Sequence, residues 1–410
     1  MKNIIVGQSG GPTAVINASL YGVVKEAHEN GINVYGMVNG IQGFMAGKYI
    51  DFADYIHKPD FELLRTTPAS FLGSCRFKLP ESLEDEIYPS IFAKLNEMEI
   101  DAMMYIGGND SMDTVDKLSR YASQIGSPIR FIGVPKTVDN DLDVTDHTPG
   151  FGSAAKYIAS TVRTIVWDGS VYPRPTVMIV EIMGRHAGWL TASAVLARTE
   201  FQKGPELIYL PEVDFDMNNF ITDVKDALSR DNALVVCVSE GIHDTTGKLI
   251  CEYGAESEVD QFGHKQLSGC ATFLETCIRE EIPGTKVRSI ELSLPQRCTP
   301  WMTSATDTKE AEKAGRTAVD AAMKGKTGVM VAFIRAKGKD YGIEYRLIPV
   351  GDVCNKEKPF PLEWIVKGKD ISEDFLEYVT PLIQGENEIV YENGLPQLLK
   401  PAYVGELSKY

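Results

Sequence analysis

The chain of 410 residues has no apolar run approaching the ~20 residues that a membrane-spanning helix needs. No basic-then-apolar pattern precedes Asn3-Ile4-Ile5-Val6-Gly7, so a secretory signal is not expected. The seven cysteines (75, 237, 251, 270, 277, 298 and 354) lack CxxC spacing, and the six histidines lack metal-ligand spacing. Disulfides and zinc are therefore not expected; free thiols in a cytoplasmic protein are. Positive charge is scarce as well. Lys and Arg number 41 against 57 Asp and Glu, leaving a net charge of −16 and a pI near 4.9. That balance argues against nucleic acid or an anionic membrane as partner, and it obliges any anionic substrate to find basic groups gathered locally. There is no internal repeat, no low-complexity segment, no Walker A loop and no GxGxxG pattern.

What is present is an ordinary globular composition, 43% hydrophobic and 24% charged, in a chain longer than one typical core. Short apolar strand candidates (3–7, 33–37, 102–106, 130–134, 176–183, 207–210, 233–239, 287–293 and 329–335) alternate with helical patterns (14–28, 111–125, 152–167, 187–198, 216–230, 269–281 and 308–324). That alternation predicts an α/β fold with a parallel-rich sheet covered on both faces. A domain boundary is expected near 142–152. The last seventy residues, with Pro359, Pro361 and Pro381, read as irregular packing segments and a tail.

Several strand ends carry small and charged residues, where open α/β sheets bind ligands. Ser9-Gly10-Gly11-Pro12-Thr13 joins the first strand to the first helix, and is either a tight turn or a cradle for phosphate on a helix N-terminus. Gly107-Gly108-Asn109-Asp110-Ser111 is either a helix cap or a pair of oxygen ligands for Mg²⁺. Pro135-Lys136-Thr137-Val138-Asp139-Asn140-Asp141 sets two carboxylates one residue apart beside a lysine. It reads either as an Asx-rich turn or as a general base with a supporting acid, their repulsion relieved by Lys136 or a metal. Met183-Gly184-Arg185-His186 and Ser239-Glu240-Gly241 end two further strands. Arg76, Arg288 and Arg297 are either solvated surface groups or forks for a phosphate monoester. His147 and His186 are read as structural or substrate-lining.

In order along the chain, Ser9-Gly10-Gly11, Gly73-Ser74-Cys75-Arg76, Gly107-Gly108-Asn109-Asp110, Asp139-Asn140-Asp141, Met183-Gly184-Arg185, Glu240, Arg288 and Arg297 resemble the phosphofructokinase family. The resemblance spans roughly residues 3 to 300. It implies two Rossmann-like three-layer domains with mostly parallel sheets and an active site in the cleft between them. A donor domain of 1–145, with about 298–345 returning, would face a fructose 6-phosphate domain of 146–297 with part of 346–410. Asp139 would be the base for the sugar 1-hydroxyl, with Asp141 in support and Arg76 on the transferring phosphoryl group. Gly10, Gly11, Gly108, Asp110 and Lys136 would meet the donor. Thr137, Met183, Gly184, Arg185 and Glu240 would hold the sugar, and Arg288 and Arg297 its 6-phosphate. Mg²⁺ would fall to Asp110, with Asn109 and Asp141 as further ligands. A homodimer or homotetramer is implied.

The donor is read from two positions. ATP-using members of the family have glycine where this chain has Asp110 and again where it has Lys136. A carboxylate at 110 repels the inner phosphate of a nucleotide; like charges ~4 Å apart cost about 1–4 kcal/mol, depending on how wet the site is. An ammonium at 136 stabilises a compact leaving phosphate. The pair resembles the pyrophosphate-dependent members. Two features depart from the family pattern. Asn109 stands where a metal-binding aspartate is usual, and Thr176, with Arg174 nearby, stands where a neighbouring subunit's arginine is often supplied. The alternatives are an ATP-dependent kinase of the same fold and a non-catalytic regulatory subunit.

Overall fold

A computed structural model describes residues 1–171, 173–254, 269–338 and 340–404. Two sheets organise it. In β1 (Asn3–Gln8) the β-branched run Ile4, Ile5, Val6 is fully buried on both faces, as a central parallel strand requires. With β2 (Asn33–Met37), β3 (Tyr49–Asp51), β4 (Ala102–Gly107) and β5 (Arg130–Pro135) it builds most of the first sheet. The second sheet comprises β6 (Thr176–Ile182), β7 (Leu207–Tyr209), β8 (Ala233–Ser239) and β9 (Lys286–Glu291), all parallel, in the order β7-β8-β6-β9. The chain then returns. Strands β10 (Val329–Arg335) and β11 (Ile343–Pro349) complete a first sheet ordered β11-β10-β5-β4-β1-β2-β3, antiparallel only at its two edges.

The helices in chain order are α1 (Ile16–Glu29), α2 (Gly40–Met45), α3 (Ile87–Glu97), α4 (Asn109–Ile125), α5 (Phe151–Gly169), α6 (Trp189–Ala192), α7 (Met217–Leu228), α8 (Cys270–Glu281), α9 (Pro295–Cys298), α10 (Ala305–Met323) and α11 (Glu373–Val379). One apolar core lies between the first sheet and α1 with α10, another between that sheet and α3 with α4. The second sheet is covered likewise, by α5 with α11 on one face and by α7 with α8 on the other. Both sheets are thus three-layered. No described helix is long and apolar enough to cross a membrane, and all seven cysteines are free.

Helices α1 and α10 cross closely because each presents a glycine to the other's backbone. A Cβ on Gly22 would stand 2.0 Å from the Glu312 carbonyl oxygen, and one on Gly315 2.1 Å from that of Ser19. The alanine face of α10 (Ala311, Ala314, Ala318, Ala321, Ala322) is almost entirely buried in the same seam. Gly22→Ala is therefore expected to destabilise the protein by about 1–3 kcal/mol or more, despite alanine's better helix propensity. Thermal unfolding measures it.

Several elements differ from what the sequence suggests. The helix expected over 187–198 is a single α-turn, α6, followed by a 3₁₀ stretch at Ser193–Ala197. Helices α2 and α3 and strand β3 lie in stretches that read as connections. The C-terminal region is more ordered than its prolines suggest. Strand β11 alternates half-buried and exposed residues at a sheet edge, so it lacks the continuous apolar run of a buried strand. Phe360, Trp364, Phe375 and Tyr378 then pack their rings around Trp189 of the second lobe.

Candidate active site

The carboxyl ends of both sheets open onto one cleft of about 1180 Å³. On the first sheet β1 has β4 on one side and β2 on the other, so the strand order reverses there, and the loops after β1 and β4 diverge to leave a crevice. The loop after β1 is laced to the Arg76 loop. Ser9 Oγ and the Gly10 N–H donate to the Cys75 carbonyl (3.3 and 3.4 Å), and Ser74 Oγ donates to the Gly10 carbonyl (2.7 Å). These bonds carry Arg76 to the cleft wall.

Lys136 follows β5 and is buried; its Nζ donates to the Gly11 carbonyl at 2.7 Å. Gly10 sits at φ +78°, and a Cβ there would stand 3.2 Å from Lys136 Nζ, so the glycine loop and the ammonium fit together. Burial lowers the Lys136 pKa to about 8, partly opposed by the charge of Asp139. Thr137 shapes the following turn. Its Oγ1 accepts from the Asp139 N–H (3.1 Å) and donates to Asp139 Oδ2 (3.4 Å). Burial raises the Asp139 carboxyl, against the pull of Lys136. Asp141 is pushed up to about 7 by burial and then by the charge of Asp139. Asn140, between them, is fully buried at φ +55°.

Asn109 and Asp110 open α4, with Asp110 exposed to the cleft in the positive first turn. Asn109 Nδ2 donates to the Lys356 carbonyl at 2.5 Å, while its Oδ1 is buried without a partner among the described residues. An aspartate there would turn an oxygen towards that carbonyl, so the departure at 109 has a structural reason. Gly108 caps the helix and lines the cleft.

From the second sheet come Met183, Arg185 and Glu240. The Gly184 N–H donates to Glu240 Oε1 (3.3 Å), and Gly184 holds φ +138° with Ala187's carbonyl oxygen 2.7 Å from where a Cβ would stand. Gly184 thus shapes this wall without lining it. Burial pushes Glu240 up to about 7. Arg297, on the short α9, turns its guanidinium towards the glycine loop: a Cβ on Gly11 would lie 3.4 Å from Nη1. Its Nε is buried without a partner among the described residues, and desolvation lowers its pKa. Arg288 does not join them. It is exposed on the edge strand β9, outside the cleft lining, because alternate residues of that strand turn to opposite faces. Thr176 is buried in β6, and Arg174 is exposed.

His186, read as substrate-lining or structural, lines the cleft, which also contains residues that the motifs did not single out: Glu181, Glu291, Ser293, Gln296, Asn355 and Glu357. Glu181 accepts from the Ala271 N–H at the start of α8 (2.8 Å), and burial raises it to about 7. An acid inside the apolar run 177–182 is the signal for it. Asn355 and Glu357 carry no such signal; only the return of the chain brings them in. His147 is structural, buried with Nδ1 3.0 Å from Asp146 and Nε2 2.7 Å from Glu310. Among the described residues no group of three or more His, Cys, Asp or Glu forms a metal cage.

The family model described as phosphofructokinase matches residues 3–322. The pyrophosphate–fructose 6-phosphate 1-phosphotransferase of Xanthomonas campestris pv. campestris is 40% identical over 96% of this chain and 95% of its own length. That of Rhodospirillum rubrum is 39% identical over 93% and 94%. A solved pyrophosphate-dependent phosphofructokinase from Nitrosospira multiformis superposes with a TM-score of 0.88 at 33% identity, covering 98% of this chain and 97% of that one. With the ordered motifs gathered around one cleft, these matches make the chain a member of the phosphofructokinase family.

Proposed function

We propose that the chain transfers phosphate reversibly from pyrophosphate to the 1-hydroxyl of fructose 6-phosphate, giving fructose 1,6-bisphosphate and phosphate. The observation that carries the donor reading is Lys136. Its ammonium is buried against the Gly11 carbonyl, in the same recess as Asp139, Arg76 and Arg297. A fixed charge there stabilises a phosphate leaving group, and Asp110, which lines the same cleft, repels the inner phosphates of a nucleotide.

In the forward direction Asp139 accepts the O1 proton as O1 bonds to the terminal phosphorus. The bridging P–O bond breaks, and phosphate departs beside Lys136. In reverse, phosphate attacks the 1-phosphate and Asp139 returns the proton to O1. Such transfers depend mostly on positioning and on neutralising charge. Arg76 flanks the transferring group, Arg297 is kept for the sugar's 6-phosphate, and Met183, Arg185 and Glu240 orient the sugar. The residues present fit Mg²⁺, which takes few protein oxygens and keeps water and phosphate ligands. Asn109 Oδ1, without a partner among the described residues, and the Asp110 carboxylate are the ligands proposed, with Asp141 as a further one. When bound, Mg²⁺ neutralises pyrophosphate oxygens. We assign the donor to the first lobe and the sugar to the second, in a cytoplasmic homodimer or homotetramer.

Steady-state assays of fructose 6-phosphate phosphorylation with Mg²⁺, comparing pyrophosphate and ATP on one preparation, test the reading. Turnover with pyrophosphate alone is expected. Turnover with ATP alone would overturn the donor assignment, and turnover with neither would favour a regulatory subunit.

A further inference from the structure

The loop that bears Asp139 is held from behind by the C-terminal part of the chain. Asn140 adopts φ +55°, a conformation that favours glycine, between two carboxylates that repel each other. Left alone, that turn would relax and let the acids separate. Its side chain is anchored at both ends: Nδ2 donates to the Tyr378 hydroxyl (2.8 Å), and Oδ1 accepts from the Thr148 N–H (3.1 Å). The Tyr378 hydroxyl donates its proton to the Asp146 carbonyl at 2.8 Å, so one oxygen ties both limbs of the loop. Tyr378 is itself fixed. Its ring packs against Trp189 and Trp364, the Arg335 guanidinium lies 4.7 Å above it, and Arg335 Nη1 donates to its carbonyl (3.0 Å). A second tie comes from the same arm, the Lys358 N–H donating to the Asp141 carbonyl (2.8 Å).

We infer that the Tyr378 hydroxyl is a positioning group for the reaction, acting through Asn140 to set the Asp139 carboxylate against the sugar hydroxyl. The inference rests on the reading of Asp139 as base. It gives the C-terminal arm, which carries no recognisable motif, a part in turnover.

Tyr378→Phe keeps the ring and its packing and removes only the oxygen. Small misplacements of reacting groups cost up to about 10²-fold. The variant is expected to lower kcat by about 10- to 100-fold, with KM for both substrates within about twofold. Val379→Ala, a buried truncation on the same helix, is the control; it should lower the melting temperature and leave kcat near the parent value. Asn140→Gly, which tolerates the positive φ but lacks the anchor, should match the loss. Combining it with Tyr378→Phe should add less than about twofold, because the two act through one bond. Unchanged kcat in Tyr378→Phe, equal kcat losses in Tyr378→Phe and Val379→Ala, or additive losses in the double variant would overturn the inference. Asp139→Asn in the same series separates the two questions. If it stays active, the base assignment fails; if it is inactive while Tyr378→Phe is normal, only the positioning role fails.

Discussion

Asp139→Asn is expected to cut kcat by about 10²–10⁴-fold in both directions while pyrophosphate and fructose 6-phosphate still bind. The substitution keeps the shape of the side chain and the bonds to Thr137, so what it removes is the proton acceptor. The pH profile gives a second measure. Burial holds the Asp139 carboxyl above the ordinary carboxylate range, and it is active ionised. Activity should therefore be lost as pH falls through that raised value, with Asp141, itself near 7, titrating alongside it. The residual activity of Asp139→Asn should lack the acid limb attributable to the base. Near-normal kcat in this variant would sink the assignment.

Lys136→Met should produce the next largest loss, about 10²–10³-fold in kcat with pyrophosphate, the scale of removing one fixed charge from a transition state. Here the sign is opposite. The ammonium is the active form, and burial places its pKa near 8 in the free protein. kcat/KM for pyrophosphate should hold below that value and decline as pH rises through it, and the methionine variant should lose this basic limb. Replacing Lys136 and Asp110 together by glycine removes both the leaving-group cation and the carboxylate that repels a nucleotide; it is expected to raise ATP-supported turnover relative to the parent. If that double variant gained nothing with ATP, other residues of the cleft would be setting donor choice.

Much of the fold and part of the site are legible in the order of residues alone. Strands β2, β8 and β10 are bounded as the sequence suggests, and in β8 and β10 that is because a strand buried on both faces needs continuous apolar residues. The site loops follow strand ends with small and acidic residues, so Lys136, Asp139, Asn109 and Glu240 stand out by position and type. Amphipathic edge strand β11 and short α6 are not legible, since neither carries a long period of its own.

What only the tertiary structure decided is which groups share the cleft. Arg288 and Arg297 look alike in the chain, yet strand alternation leaves one exposed at a sheet edge while α9 turns the other inward. Asn109 reads as a lost metal ligand until the Lys356 carbonyl, 247 residues away, accepts its amide. Glu181, Asn355, Glu357 and the Tyr378 clamp depend in the same way on partners distant in the chain. The sequence by itself determined the chemistry available at each strand end, because local period and residue type are local properties. Burial, charge coupling and the unpartnered atoms of the cleft arise only when two sheets and a returning C-terminal arm meet, and there the protonation states are set.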